Sequence, residues 1–186
     1  LLNLRERDGA GRLQDFLGEA AARNGIWLVG GTVPLSAREA ARVRAACLVF
    51  NDRGERVARY DKIHLFDVSL PDCGERYEES ATIEPGEETV VIDTPYGRLG
   101  VAVCYDLRFP ELFREMLDRG MEILALPASF TAITGKAHWE TLVRARAIEN
   151  LAYVIAAAQG GYHINGRETH GHSMVVAPWG EVLADA

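Results

Sequence analysis

Apolar positions along this chain recur with two different periods, and each change of period marks a new element. Leu13, Phe16, Leu17, Ala20 and Ala21 recur at helical spacing and Asn24-Gly25 follows as a stop, which predicts an amphipathic helix. The short apolar run Ile26–Val33, with Trp27, Val29 and Val33, reads as a buried strand. Arg42–Phe50 and Arg56–Tyr60 flank the turn sequence Asn51-Asp52-Arg53-Gly54 and read as paired strands. Residues 67–88 show no period and contain Pro71, Gly74, Pro85 and Gly86, so a long loop is expected. Thr89–Asp93 and Leu99–Val103 flank Thr94-Pro95-Tyr96-Gly97 as a second hairpin. Pro110–Arg119 has Pro in its first turn, an apolar stripe of Leu112, Phe113, Met116 and Leu117, and Gly120 at its end, which predicts a helix. Ile123–Leu126 reads as a strand. His138–Asn150 reads as a helix with Trp139, Leu142, Val143 and Ile148 inward. Ala152–Ala158 reads as a buried strand, and Ser173–Ala177 and Glu181–Ala184 flank Pro178-Trp179-Gly180 as a third hairpin. Helices alternate with strands, yet several strand neighbours are hairpins. The predicted class is therefore α/β with a mixed sheet.

Composition narrows the function classes. With 20 Lys+Arg against 27 Asp+Glu the formal charge is −7, and a phosphate-backbone partner requires a basic face that this balance argues against. The 48% hydrophobic and 25% charged content fits one folded domain rather than a disordered chain. The most apolar stretches, Ile123–Gly135 and Leu151–Gly161, fall short of the roughly 18 residues a membrane span needs. The first eight residues carry two Arg, one Glu and one Asp, which is no signal-peptide pattern. Three cysteines, Cys47, Cys73 and Cys104, are an odd and sparse set that argues for a reducing compartment, the cytoplasm.

Cys104 is the sharpest candidate for chemistry. It ends the apolar run Leu99-Gly100-Val101-Ala102-Val103 and precedes Tyr105-Asp106 and then a helix. Sheets of α/β proteins place ligand sites at strand ends of this kind, and a helix N-terminus favours a thiolate. A small buried core cysteine fits the same position. Lys62 lies at a strand end among apolar residues, where an ammonium can stabilise an oxyanion; a solvated lysine fits as well. His163, His170 and His172 cluster, but no His-Glu-x-x-His run occurs and no Cys lies nearby in sequence, so no metal is expected. Glu111 reads as a charge on the positive end of its own helix rather than an acid–base group.

Longer stretches join these residues. They are Tyr60-Asp61-Lys62-Ile63-His64-Leu65-Phe66-Asp67, Glu79-Ser80 before Pro85-Gly86, Gly100 through Glu111, Arg144 through Asn150, and Gly171-His172-Ser173-Met174-Val175-Val176. Together they resemble the carbon–nitrogen hydrolase (nitrilase) superfamily over essentially the whole chain. Ile133 through Glu140, with Gly171 through Val176 and Pro178-Trp179-Gly180, look like its Nit branch.

The resemblance implies a four-layer α-β-β-α sandwich with mixed sheets, a homodimer or higher homo-oligomer, and a Glu–Lys–Cys triad. Cys104 is then the nucleophile, Lys62 the triad lysine, and Glu79 a second glutamate that orients the lysine or assists proton transfer. The triad's first Glu belongs to a strand-end Pro-Glu motif, and Glu6, Glu19, Glu39 and Glu55 lack a preceding Pro. The expectation is a single hydrolase domain over residues 1–186 that is a piece of a longer chain, with that Glu upstream of residue 1. The implied reaction is hydrolysis of an amide of a small carboxylated molecule such as deaminated glutathione, through a thioester, with no metal or organic cofactor. Tyr105, through its backbone N–H, Ser129 and Phe130 are the expected substrate contacts. An omega-amidase acting on 2-oxoglutaramate-like molecules, and a non-catalytic binding domain that keeps the fold, are the alternatives. The expected partner is a small-molecule amide, not nucleic acid or membrane.

Overall fold

A computed structural model of the chain describes residues 1–70, 75–164 and 166–186. The chain folds into two compact units, Leu1–Glu88 and Thr89–Ala186.

The first unit begins with helix α1 (Arg12–Asn24), then strands β1 (Leu28–Ser36), β2 (Val43–Phe50) and β3 (Arg56–Asp61), which form an antiparallel sheet in that order. Every residue of β2 is buried, as expected of an apolar strand in the centre of a sheet. Ala21 and Leu17 of α1 pack on Val33, Leu35, Ala46, Leu48 and Phe50 to make the core. Two expectations fail here. Phe16 of α1 is 60% exposed and Leu13 is exposed too. Polar Gln14 is buried instead, because its side chain donates to the Arg7 carbonyl and to Glu6. The strand read over Ile26–Val33 starts at Leu28, is only half-buried along its first half, and is broken by a bulge between Val29 and Thr32 where Gly31 takes φ +66°.

The long loop expected over residues 67–88 is partly ordered into pairing. Strands β4 (Asp67–Leu70) and β5 (Glu75–Glu78) form an antiparallel hairpin, followed by one 3-10 turn, Glu79–Ala81. Each strand is only four residues long, and although Asp67-Val68-Ser69-Leu70 alternates, Glu75-Arg76-Tyr77-Glu78 has a single apolar position, so the pair sets no clear period. Pro71, Cys73 and Gly74 lie outside the described residues.

The second unit carries β6 (Val90–Thr94), β7 (Gly97–Val101), helix α2 (Pro110–Asp118), β8 (Ile123–Ala128), helix α3 (Ala132–Asn150) and β9 (Tyr153–Ala158). A short hairpin of β10 (Gly160–Tyr162) and β11 (Glu168–His170) follows, then β12 (Met174–Val176) and β13 (Val182–Asp185). Six strands form one sheet in the order β13-β12-β9-β8-β7-β6. β7, β8 and β9 are parallel, joined through α2 and α3, and the rest are antiparallel, so the sheet is mixed as predicted. Leu112, Phe113 and Met116 of α2 are buried, as are Trp139 and Val143 of α3 and Val101, Leu124, Leu126, Val154 and Val176 of the sheet. Ile148, expected inward, is exposed, while Arg146 is buried. β9 is buried on one face only: Val154 and Ala156 face in, and Tyr153 and Ile155 are exposed. No helix among the described residues is long and apolar enough to cross a membrane.

Candidate active site

Cys104 stands where β7 ends. After Val101 the chain continues through buried Ala102 and Val103, and the Ala102 N–H donates to the Ala125 carbonyl of β8 at 3.1 Å. Cys104 then opens a five-residue 3-10 turn, Cys104–Arg108, and α2 starts only at Pro110. The expected helix N-terminus is thus set back from the thiol by this turn. Cys104 is half-buried and outside any disulfide, and its φ is +50°. A left-handed backbone at a residue with a β-carbon costs about 1–3 kcal/mol and persists only where the surroundings over-determine it. Two features of the turn do so locally. Fully buried Asp106 accepts the Val103 N–H on Oδ2 at 2.8 Å, and its own N–H donates to the Val103 carbonyl at 3.1 Å.

Arg108 ends the turn, and sequence reasoning missed it. Its guanidinium carbon lies 5.3 Å from the Phe130 ring centre and 5.9 Å from that of Tyr105. One terminal nitrogen is 3.3 Å from His138 Nδ1. It has no carboxylate partner among the described residues. Its one sequence signal is a charge set between apolar Leu107 and Phe109. Of the expected substrate contacts, Tyr105 and Phe130 therefore meet around one cation. Phe130 is buried and packs on Trp139 at 5.0 Å. Ser129 is half-buried and offers its carbonyl to Arg167; among the described residues no hydrogen bond joins its hydroxyl to the Cys104 turn.

Lys62 follows β3 in the first unit. It is 3% exposed, which removes the solvated reading of this lysine. Its Nζ donates to Glu79 Oε2 at 2.5 Å, and the same oxygen accepts the Phe66 N–H at 2.6 Å. A buried ammonium needs such a partner, because desolvation without one costs several kcal/mol. Lys62 and Glu79, two of the residues the resemblance names, are thus directly bonded. The backbone is pinned as well: the Lys62 N–H donates to the Ala45 carbonyl at 3.0 Å, and the Gly86 N–H donates to the Lys62 carbonyl at 2.8 Å. A β-carbon at Gly86 would collide with the Asp61 carbonyl oxygen, so this approach requires glycine. Nearby, Asp67 is held below the usual carboxylate range by hydrogen bonds from Ser80, helped by the Glu79 N–H and the Lys62 charge.

The histidines serve local structure. His163 Nε2 lies 2.8 Å from the Thr169 hydroxyl, the His170 and His172 rings stack at 4.7 Å, and His172 Nδ1 is 3.0 Å from Asp185. Among the described residues no group of three or more His, Cys, Asp or Glu gathers to hold a metal. Glu111 is exposed in the first turn of α2.

A strand-end thiol on a left-handed turn, a buried ion-paired lysine and a mixed sheet joined through helices define a class, and comparison with known proteins gives that class its family. The carbon-nitrogen hydrolase family model matches residues 3–186, and the chain belongs to that family. The deaminated glutathione amidase of Yersinia enterocolitica is 50% identical over 179 residues, covering 96% of this chain and 63% of that protein. The omega-amidase NIT2-B of Xenopus laevis is 41% identical over 177 residues, covering 95% and 63%. The crystal structure of Saccharomyces cerevisiae Nit3, of the nitrilase superfamily, superposes with a TM-score of 0.85 at 33% identity, covering all of this chain and 64% of that one. The fold is therefore the α/β nitrilase type, and the chain spans somewhat under two thirds of the length of these relatives.

Proposed function

We propose that this chain supplies the nucleophile and the lysine of an amidase acting on a small carboxylated amide, with deaminated glutathione the leading substrate. The observation that carries the reading is the Arg108 guanidinium. It shares the turn of Cys104, is held by two rings and a histidine, and lacks a carboxylate partner among the described residues. A substrate carboxylate completes that arrangement through charge-assisted hydrogen bonds. The 50% identity to a deaminated glutathione amidase supports the same choice.

An amide carbonyl is a weak electrophile and ammonia a poor leaving group, so the reaction needs a strong nucleophile, an oxyanion partner and a proton donor. Cys104 Sγ attacks the carbonyl carbon and its proton passes to a carboxylate base. In the triad chemistry that the resemblance implies, the oxygen becomes an anion that the Lys62 ammonium and the Tyr105 N–H stabilise. The C–N bond breaks as the base returns the proton to nitrogen, giving ammonia and a thioester on Cys104. Water, deprotonated by the same base, attacks the thioester; the acid leaves and the thiol is restored. The triad glutamate is that base; Glu79 holds the lysine. No metal and no organic cofactor enters. The sparse cysteines support a cytoplasmic setting, and the resemblance supports a homo-oligomer, which sedimentation of the intact protein tests.

The experiment is a panel of ammonia-release assays on deaminated glutathione, 2-oxoglutaramate, simple aliphatic amides and nitriles. Highest kcat/KM on deaminated glutathione is the expected result. Preference for 2-oxoglutaramate establishes the omega-amidase reading, which the 41% identity to such an enzyme supports. Binding of a carboxylated amide without ammonia release would make the protein a binding module.

A further inference from the structure

The turn that carries Cys104 is gripped a second time, from α3, by a buried charge that the proposed chemistry does not use. Arg146 is 5% exposed. Its Nε and one terminal nitrogen both donate to the Leu107 carbonyl oxygen, at 3.0 and 2.7 Å. Its other terminal nitrogen donates to Glu149 Oε1 at 2.5 Å, and its guanidinium carbon lies 5.1 Å from the Phe113 ring centre. Leu107 belongs to the Cys104–Arg108 turn and is itself fully buried. Asp106 holds the head of the turn through the Val103 N–H. Cys104, in its left-handed conformation, is thus fixed by a grip before it and a grip after it.

We infer that Arg146 is a positioning residue. By holding the Leu107 carbonyl it fixes the turn that aims Cys104 Sγ and the Tyr105 N–H, and so tunes the nucleophile without touching substrate. The inference rests on the reading of Cys104 as the nucleophile. Arginine suits the task because its rigid fork places two donors on one oxygen, where a lysine offers a single mobile ammonium. A left-handed cysteine released from one grip relaxes toward an ordinary conformation and re-aims its Cβ–Sγ bond. A misplacement of about 1 Å at a reacting atom lowers a rate about a hundredfold.

The test uses Arg146→Met and Arg146→Lys in the intact protein, with Arg144→Met as the comparator. Arg144 lies on the same helix and its Nε donates to the Gly180 carbonyl at 2.9 Å, so its loss removes a side-chain grip on backbone away from the turn, at a more exposed position. Three readouts are taken: the melting temperature, kcat and KM, and the rate of Cys104 alkylation by iodoacetamide as a function of pH. Arg146→Met is expected to lower kcat about a hundredfold with KM changed less than about threefold, and to displace the alkylation pH profile. Arg146→Lys is expected to fall between, and Arg144→Met to lower the melting temperature alone. If Arg146→Met fails to fold, Arg146→Lys decides: a profile superimposable on the wild type overturns the inference. A folded Arg146→Met matching Arg144→Met in kcat and profile overturns it equally. Wild-type turnover by Cys104→Ala is a separate failure, since it removes the nucleophile reading itself.

Discussion

Cys47 and Cys104 are the same side chain in opposite surroundings. Cys47 lies in the centre of β2, opposite Thr32 of β1 and Tyr60 of β3, fully buried. Burial pushes its thiol up to about 12, against a smaller downward pull from a hydrogen bond with the Gly31 backbone. Cys104 is half-buried past the end of β7, on a left-handed turn with a guanidinium at its far end. The middle of a strand keeps a thiol neutral and inert, whereas the end of one exposes it and lets the next few residues decide its direction. Reactivity follows from place in the sheet rather than from residue type.

The largest expected effect comes from removing each thiol in turn. Cys104→Ala is expected to remove roughly 10⁶ of kcat, as loss of a covalent nucleophile does, while Cys47→Ala costs stability only. Ammonia release per mole of folded protein checks both, and wild-type turnover from Cys104→Ala would break the comparison. Alkylation sharpens it next. At pH 8 a thiol at about 12 is ionised in about one molecule in ten thousand, so iodoacetamide mapped by mass spectrometry should label Cys104 fully before Cys47 appears. Labelling of Cys47 in the folded protein at a comparable rate would sink this account of β2.

Lys62→Arg tests whether the site needs a compact cation or only a charge. An arginine fork cannot enter the place of a buried ammonium bonded at 2.5 Å to Glu79. A loss of about a hundredfold or more in kcat is expected for an oxyanion donor, and retention of about a third of the rate would remove that role. Arg108→Met is the mildest case. Losing a charge-assisted hydrogen bond costs about 1.5–3 kcal/mol, so KM for the carboxylated amide should rise about tenfold to a hundredfold while kcat changes little. An unchanged KM would show that the substrate carboxylate binds elsewhere.

Legibility in the sequence follows physical cause. β2 is plain, because a strand buried on both faces reads as a long apolar run, here Ala45–Phe50 after the ion-paired Arg44. The hairpins β4–β5 and β10–β11 escape notice because their strands are only four and three residues long, too short to set a period. The apolar pattern starts α3 at His138, yet the helix begins at Ala132 with Thr131 capping the Thr134 N–H at 3.2 Å. Gly135 disguises that turn, and it is there for packing: a β-carbon would collide with the side chain of His170. Of the site, Cys104, Lys62 and Glu79 are carried by resemblance, and the structure joins Lys62 to Glu79 by a direct bond. Arg108 and Arg146 escape notice because a charge in an apolar run reads equally as a solvated side chain. Only the contacts around it reveal which it is.

On the proposed role of Cys104 as nucleophile, its φ of +50° sets folding and turnover against each other at one position. Steric comfort there would rank glycine first, asparagine next, alanine after it and valine last. A variant chosen for heat resistance alone would abandon sulfur for Cys104→Gly, gaining melting temperature as it lost the reaction. The conformational penalty at this single residue is thus a local gauge of what activity demands of the scaffold, and a melting series of Cys104 variants reads that gauge without any substrate present.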